Sequence, residues 1–268
     1  MNIRRCNPLY GYGWLRAGLA LFFAQPWPWL ALTSAGFVLT LVVGTLPILG
    51  LLAVFLLSPA LTAGYMAAAR AVAGEKPLSF TYLTAGLRAA ARPLIGVGGV
   101  NLFVVLTALL IFVLGWRQEV TRLLELMGSA KPDQAVLEEA LTQLTLPTLL
   151  MAALFLPLAM ANWFAPALVL FRGLSTGAAL RLSLKASLRN VWPFLVYGVL
   201  LFLLDAIASL VLQGIVALTL RIAGQAVAEI LGLVLAFPVF CAFAAVIFAS
   251  MYASYMDVFE RPAQAAQS

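Results

Sequence analysis

Residues 17–69, AGLALFFAQPWPWLALTSAGFVLTLVVGTLPILGLLAVFLLSPALTAGYMAAA, lie between Arg16 and Arg70 without a single charged side chain. A bilayer core takes roughly 20 apolar residues per helical crossing, so this stretch is long enough for two crossings and a turn. The turn falls at Gly44-Thr45-Leu46-Pro47-Ile48-Leu49-Gly50, where Pro47 removes a backbone donor and the flanking glycines tolerate unusual dihedrals. The chain is therefore expected to open as a membrane hairpin.

Composition extends that reading to the whole chain. It is 64% hydrophobic and 10% charged, against roughly 45–50% and about 25% in ordinary soluble domains. In hydrocarbon each backbone amide must be paired within its own element, and the long apolar runs lack the alternation of a membrane barrel. The expected fold class is all-α, a polytopic membrane protein of about six transmembrane helices with short amphipathic interfacial helices, forming one integral membrane domain over 1–268. The spans are expected at 28–44, 48–69, 93–115, 147–171, 193–213 and 227–252, with a helical hairpin outside the bilayer at 116–145 and a disordered tail at 261–268.

Three segments read as in-plane helices, each leading to a proline and then to a span. Residues 10–24 end at Gln25-Pro26-Trp27-Pro28-Trp29, whose tryptophans suit the headgroup level. Residues 78–92 carry Arg88 and Arg92 four apart and end at Pro93. Residues 174–190 set Arg181, Lys185 and Arg189 beside Leu180, Leu184 and Leu188, so the basic chains can snorkel past a leucine stripe. These five basic residues are the candidate contacts to anionic lipid. In span three, Gly96, Gly98 and Gly99 would let another helix approach closely.

The Lys/Arg distribution sets the orientation. With both termini inside, all of the basic residues except Arg117, Arg122, Lys131 and Arg221 fall on the inner side, as the positive-inside rule requires. The expected location is a bacterial inner membrane, multi-pass, with cytoplasmic termini. An apolar run this long, with no small-residue cleavage site closing it, reads as an uncleaved anchor and not as a signal peptide.

The same composition excludes several functions. The sequence has no histidine, which removes the commonest general base and the commonest metal ligand. Cys6 and Cys241 lie in separate regions and are expected to be unpaired, so no disulfide or metal site is expected. The net charge of +6 comes from residues flanking apolar runs, which fits membrane topology and not nucleic acid. No nucleophile and base pair, phosphate loop or carboxylate pair occurs, so neither enzymatic activity nor a cofactor is expected.

Short motifs carry a resemblance. The Gly13-Trp14-Leu15 start, Ser58-Pro59 near the end of span two, Phe164-Ala165-Pro166-Ala167-Leu168 in span four, Arg189-Asn190 before span five and Tyr252-Ala253-Ser254-Tyr255-Met256-Asp257-Val258-Phe259 near the end resemble a family of uncharacterised six-span bacterial inner-membrane proteins. The resemblance covers nearly the whole chain and implies no activity. More distantly, the chain is similar to the membrane domain attached to some glycerophosphodiester phosphodiesterases, without the catalytic domain of those enzymes.

Three polar residues stand inside spans. Counting from the nearest span end, Asp205 lies ~18 Å deep, Asn101 ~12 Å and Asn162 ~15 Å, close enough in depth to meet. An intramembrane acid suggests function, and it equally suits a protonated Asp205 hydrogen-bonded to an asparagine as glue between helices. Two roles are therefore expected. The first is a non-enzymatic accessory or scaffold protein working through the bilayer surface, a membrane-protein partner or a second copy of itself. The alternative is a transporter or permeation pathway for a small solute or lipid that uses Asp205.

Overall fold

The computed structural model describes residues 3–128 and 134–260. The turn expected around 129–133 and the tail expected at 261–268 lie outside the described residues. Ten α-helices follow one another: α1 Tyr10–Ala24, α2 Pro26–Gly44, α3 Leu49–Ala73, α4 Ala85–Gly115, α5 Arg117–Gly128, α6 Gln134–Gln143, α7 Thr145–Arg172, α8 Thr176–Arg189, α9 Val191–Ala223 and α10 Gln225–Tyr255. No strand occurs among the described residues. Six helices, α2, α3, α4, α7, α9 and α10, are long and apolar enough to cross a membrane.

The break after Gly44 is where the proline and glycines put it, with Ile48 turned to φ 58° between α2 and α3. Elsewhere the helices run longer than the apolar runs alone indicate. The expected third span is the distal part of α4, which begins at Ala85 and bends at Ala90 (φ −152°, ψ 46°). Pro93 accounts for the bend, because its ring crowds the carbonyl four residues back and it has no N–H to donate. The expected fifth span, drawn to Gln213, continues unbroken to Ala223, and the chain turns only at Gly224, whose φ is 85°.

Two ends of the bundle differ sharply. At the terminal end, the strap of residues 3–9 crosses the end of α10, where the Arg4 amide donates to the Val258 carbonyl over 3.0 Å. Gln25 joins two loops there, donating to the Lys76 carbonyl at 2.9 Å and accepting from the Leu78 amide at 3.0 Å. The buried residues gather at this end: Trp14 and Phe22 of α1, Trp29 and Leu32 of α2, Ala60 to Val72 of α3, Phe164 to Val169 of α7 and Ala245 onward in α10. Towards the α5–α6 hairpin the helices part. No residue of α9 beyond Tyr197, of α2 beyond Gly36, or of α7 between 148 and 163 is buried.

Small residues explain the tight end. Lipid tails are as apolar as leucine, so helices in a membrane associate by close packing instead of hydrophobic drive. A Cβ on Gly86 would come within 2.2 Å of the Ala60 carbonyl oxygen, and one on Gly98 within 2.5 Å of the Leu56 carbonyl oxygen. These two glycines set the α3–α4 seam. Gly96 faces Thr176 of α8 instead, so the expected glycine cluster serves two neighbours.

Candidate functional site

Inside the bundle, the asparagines expected to meet do so. Asn101 of α4 donates to Asn162 Oδ1 at 2.9 Å, and Asn162 donates back to Asn101 Oδ1 at 2.8 Å and to the Leu158 carbonyl at 2.8 Å. Each amide thus uses its neighbour as donor and acceptor. Asp205 does not join them, contrary to the expectation from depth alone. It is exposed near the middle of α9, which packs chiefly on α1 and α10, whereas the asparagine pair lies between α4 and α7. Counting residues along the helices brought the two asparagines level, and the sequence gives no rotation about α9 to turn Asp205 towards them.

The basic candidates lie on the surface. Arg92, Arg181, Lys185 and Arg189 are exposed and have no hydrogen bond or ion pair among the described residues, while Arg88, also exposed, donates to the Thr81 carbonyl. The helix that carries Arg181, Lys185 and Arg189 is held to the bundle by a face other than its leucine stripe. The buried face of α8 is Ala179, Ser183, Ala186 and Ser187, and Leu188 is exposed. The Ser183 hydroxyl accepts from the Phe164 amide (3.0 Å) and donates to the Met160 carbonyl (2.9 Å), and Ser187 donates to the same carbonyl at 3.0 Å. A side chain of α8 thereby bridges one step of the α7 backbone ladder, a recognised cause of bending.

The terminal end holds polar groups to which the sequence alone assigned no role, although Trp14, Asn190 and Asp257 stand in the motifs that carry the resemblance. Asn190, fully buried, accepts from the Cys6 amide at 2.7 Å and donates to the carbonyls of Arg4 (3.0 Å) and Ala186 (2.9 Å). It clamps the strap from both sides. Asp257 is buried and accepts from the Trp14 indole at 3.1 Å. Burial, with Asp257 nearby, pushes the Cys6 thiol up to about 11. Trp29, expected at headgroup level beside Trp27, is buried and donates to the Leu21 carbonyl at 3.0 Å, while Trp27 is exposed. Two residues apart on a helix, the indoles cannot share a face. Both cysteines are free and buried.

A further cluster joins the ends of α3, α7 and α10. Arg172 reaches the Glu260 carboxylate at 2.9 Å, the Tyr255 hydroxyl at 3.2 Å and the Phe259 carbonyl at 3.0 Å. Tyr255 donates to Glu260 at 2.8 Å, and the Arg70 guanidinium stacks on Phe171 with 5.0 Å to the ring centroid. In the sequence these arginines marked only the ends of spans. No group of three or more metal-ligating side chains occurs among the described residues.

The chain is 28% identical to a probable inner membrane protein of Burkholderia thailandensis over 263 residues, covering 97% of this chain and 94% of that protein. No protein-family model matches the chain, and no solved structure matches it. The likeness to the membrane domain of glycerophosphodiester phosphodiesterases finds no support in these comparisons.

Proposed function

We propose that the protein is a multi-pass inner-membrane protein with both termini in the cytoplasm, acting as a non-enzymatic accessory or scaffold protein. Its near-full-length similarity to a probable inner membrane protein supports the location. The Lys/Arg distribution supports the orientation, which makes the terminal end cytoplasmic. The observation that carries the accessory reading is the state of the polar groups inside the bundle. Asn101 and Asn162 satisfy each other, and Asp205 lies on a helix that packs elsewhere, so among the described residues these three polar groups form no connected chain across the bundle. The close packing of the terminal end agrees with a rigid platform that presents Arg181, Lys185 and Arg189 to the surface.

One observation favours the alternative of a permeation pathway for a small solute or lipid. Asp205 is a carboxylate at mid-span on the loosely packed side, with no hydrogen bond or ion pair among the described residues. Intramembrane acids are costly and commonly functional. The two readings part at Asp205→Asn, which keeps shape and hydrogen-bonding capacity but cannot exchange a proton. The accessory reading expects full rescue of the phenotype of a deletion strain at matched expression. Failure to rescue, with normal folding, would overturn it in favour of the pathway.

A further inference from the structure

The cluster at the ends of α3, α7 and α10 encloses a cavity of about 360 Å³ lined by Arg70, Phe171, Arg172, Tyr252, Tyr255, Met256 and Glu260. That is within the roughly 300–1,000 Å³ of small-ligand sites. Two guanidinium groups from separate helices share it with one carboxylate. The charges do not cancel. Arg172 is held by Glu260, Tyr255 and the Phe259 carbonyl. Arg70 lies over the Phe171 ring and close enough to Glu260 to feel its charge, and its donors have no hydrogen bond or ion pair among the described residues.

We infer that this cavity is a binding site for a phosphate-bearing anion, held between Arg70 and Arg172. Arginine offers a planar fork of donors matched to phosphate oxygens. Phe171 holds the Arg70 guanidinium at the cavity, with its carbon 5.0 Å from the ring centroid. Glu260 is the internal competitor, since its carboxylate occupies donors of Arg172 that a phosphate would use. Its side chain is partly exposed, at 36%, so displacement needs no opening of the core. The position of the cavity, at the ends of three membrane-crossing helices, suits the headgroup of an anionic phospholipid, as basic pockets between such helices commonly do. A soluble phosphate would present the same chemistry. The inference rests on the membrane reading of the chain and is independent of the accessory role.

The test uses the full chain purified in a neutral detergent, with phosphatidylglycerol or phosphatidylcholine added and the retained lipid counted by native mass spectrometry. Wild type should retain phosphatidylglycerol over phosphatidylcholine. Arg70→Gln should reduce that retention by about tenfold, the loss of one charge-assisted hydrogen bond to the headgroup. Arg16→Gln removes the same charge from an exposed position of α1 outside the cavity and should leave retention unchanged. Glu260→Gln should raise it. Inorganic phosphate that displaces the lipid and itself binds the wild type would identify a soluble anion as the ligand, and lipid retention indifferent to phosphate would identify the headgroup. Equal losses in Arg70→Gln and Arg16→Gln, or no gain in Glu260→Gln, would overturn the site.

Discussion

Replacing Asn190 with alanine should release the amino-terminal strap. In the wild type, opening the strap breaks the Cys6 amide bond to Asn190 Oδ1 (2.7 Å) and the Asn190 bond to the Arg4 carbonyl (3.0 Å), besides the Arg4 amide bond to Val258. In Asn190→Ala the first two are already gone, and the closed strap keeps a buried Cys6 amide without its acceptor. Two neutral hydrogen bonds at about 1 kcal/mol each, plus about 1 kcal/mol or more for the orphaned donor, favour opening by about 3 kcal/mol, or roughly a hundredfold in the opening equilibrium. Cys6 is itself the reporter, since it is only 7% exposed in the closed strap. In a Cys241→Ala background, its alkylation at fixed pH, followed by intact mass, should accelerate by about that factor when opening is fast relative to labelling. Asn190→Asp keeps the acceptor and loses both donors, so it should fall between. An unchanged labelling rate in Asn190→Ala would refute the clamp.

Asn101→Leu should lower unfolding stability in detergent by about 1 kcal/mol, the scale of interhelical hydrogen bonds in membranes. Adding Asn162→Leu should restore much of it, because no polar group is then left unpaired; additive losses would contradict the reciprocal pair. Gly98→Leu should separate α3 from α4, since its Cβ would meet the Leu56 backbone at 2.5 Å, while Gly13→Leu, with open space around it, should fold normally. Equal thermal stability of the two would contradict the seam. The Cys6 thiol is raised from 9.0 to about 11, so the folded state holds its proton more tightly than the unfolded state. That contribution is complete below pH 9.0 and is lost as pH rises towards 11, and Cys6→Ser should remove this part of the stability profile measured by unfolding across that range.

The helical membrane class was legible because it follows from local facts, such as the uncharged run after Arg16 and the break at Pro47. Depth was equally local. Asn101 and Asn162 met because counting residues at a fixed rise per residue puts them at comparable levels. Rotation was not legible, because α9 is apolar on every side and no pattern of polarity shows which face Asp205 occupies. A soluble helix would have betrayed its inner face. The clamp and the Trp14–Asp257 bond were hidden for another reason. Their members are separated by nearly the length of the chain and are ordinary residues individually. Ser183 and Ser187 are likewise ordinary residues in the sequence, and their four-residue spacing became meaningful only against a single carbonyl on α7.

The strap also constrains how the protein is made. Arg4 and Cys6 leave the ribosome long before their partners Asn190 and Val258, which come far later in the chain. At about 5–20 residues per second, translation needs roughly 10 to 50 s to supply the last of them. Throughout that interval the strap lacks the contacts that bury it, while α2, α3 and α4 can already insert and pack. Closing the strap is thus a late step of assembly that pays the loop entropy of almost the entire chain. Until Val258 arrives, the nascent protein exposes Cys6, and the thiol becomes inaccessible only when α10 is in place and the strap has been sewn onto it.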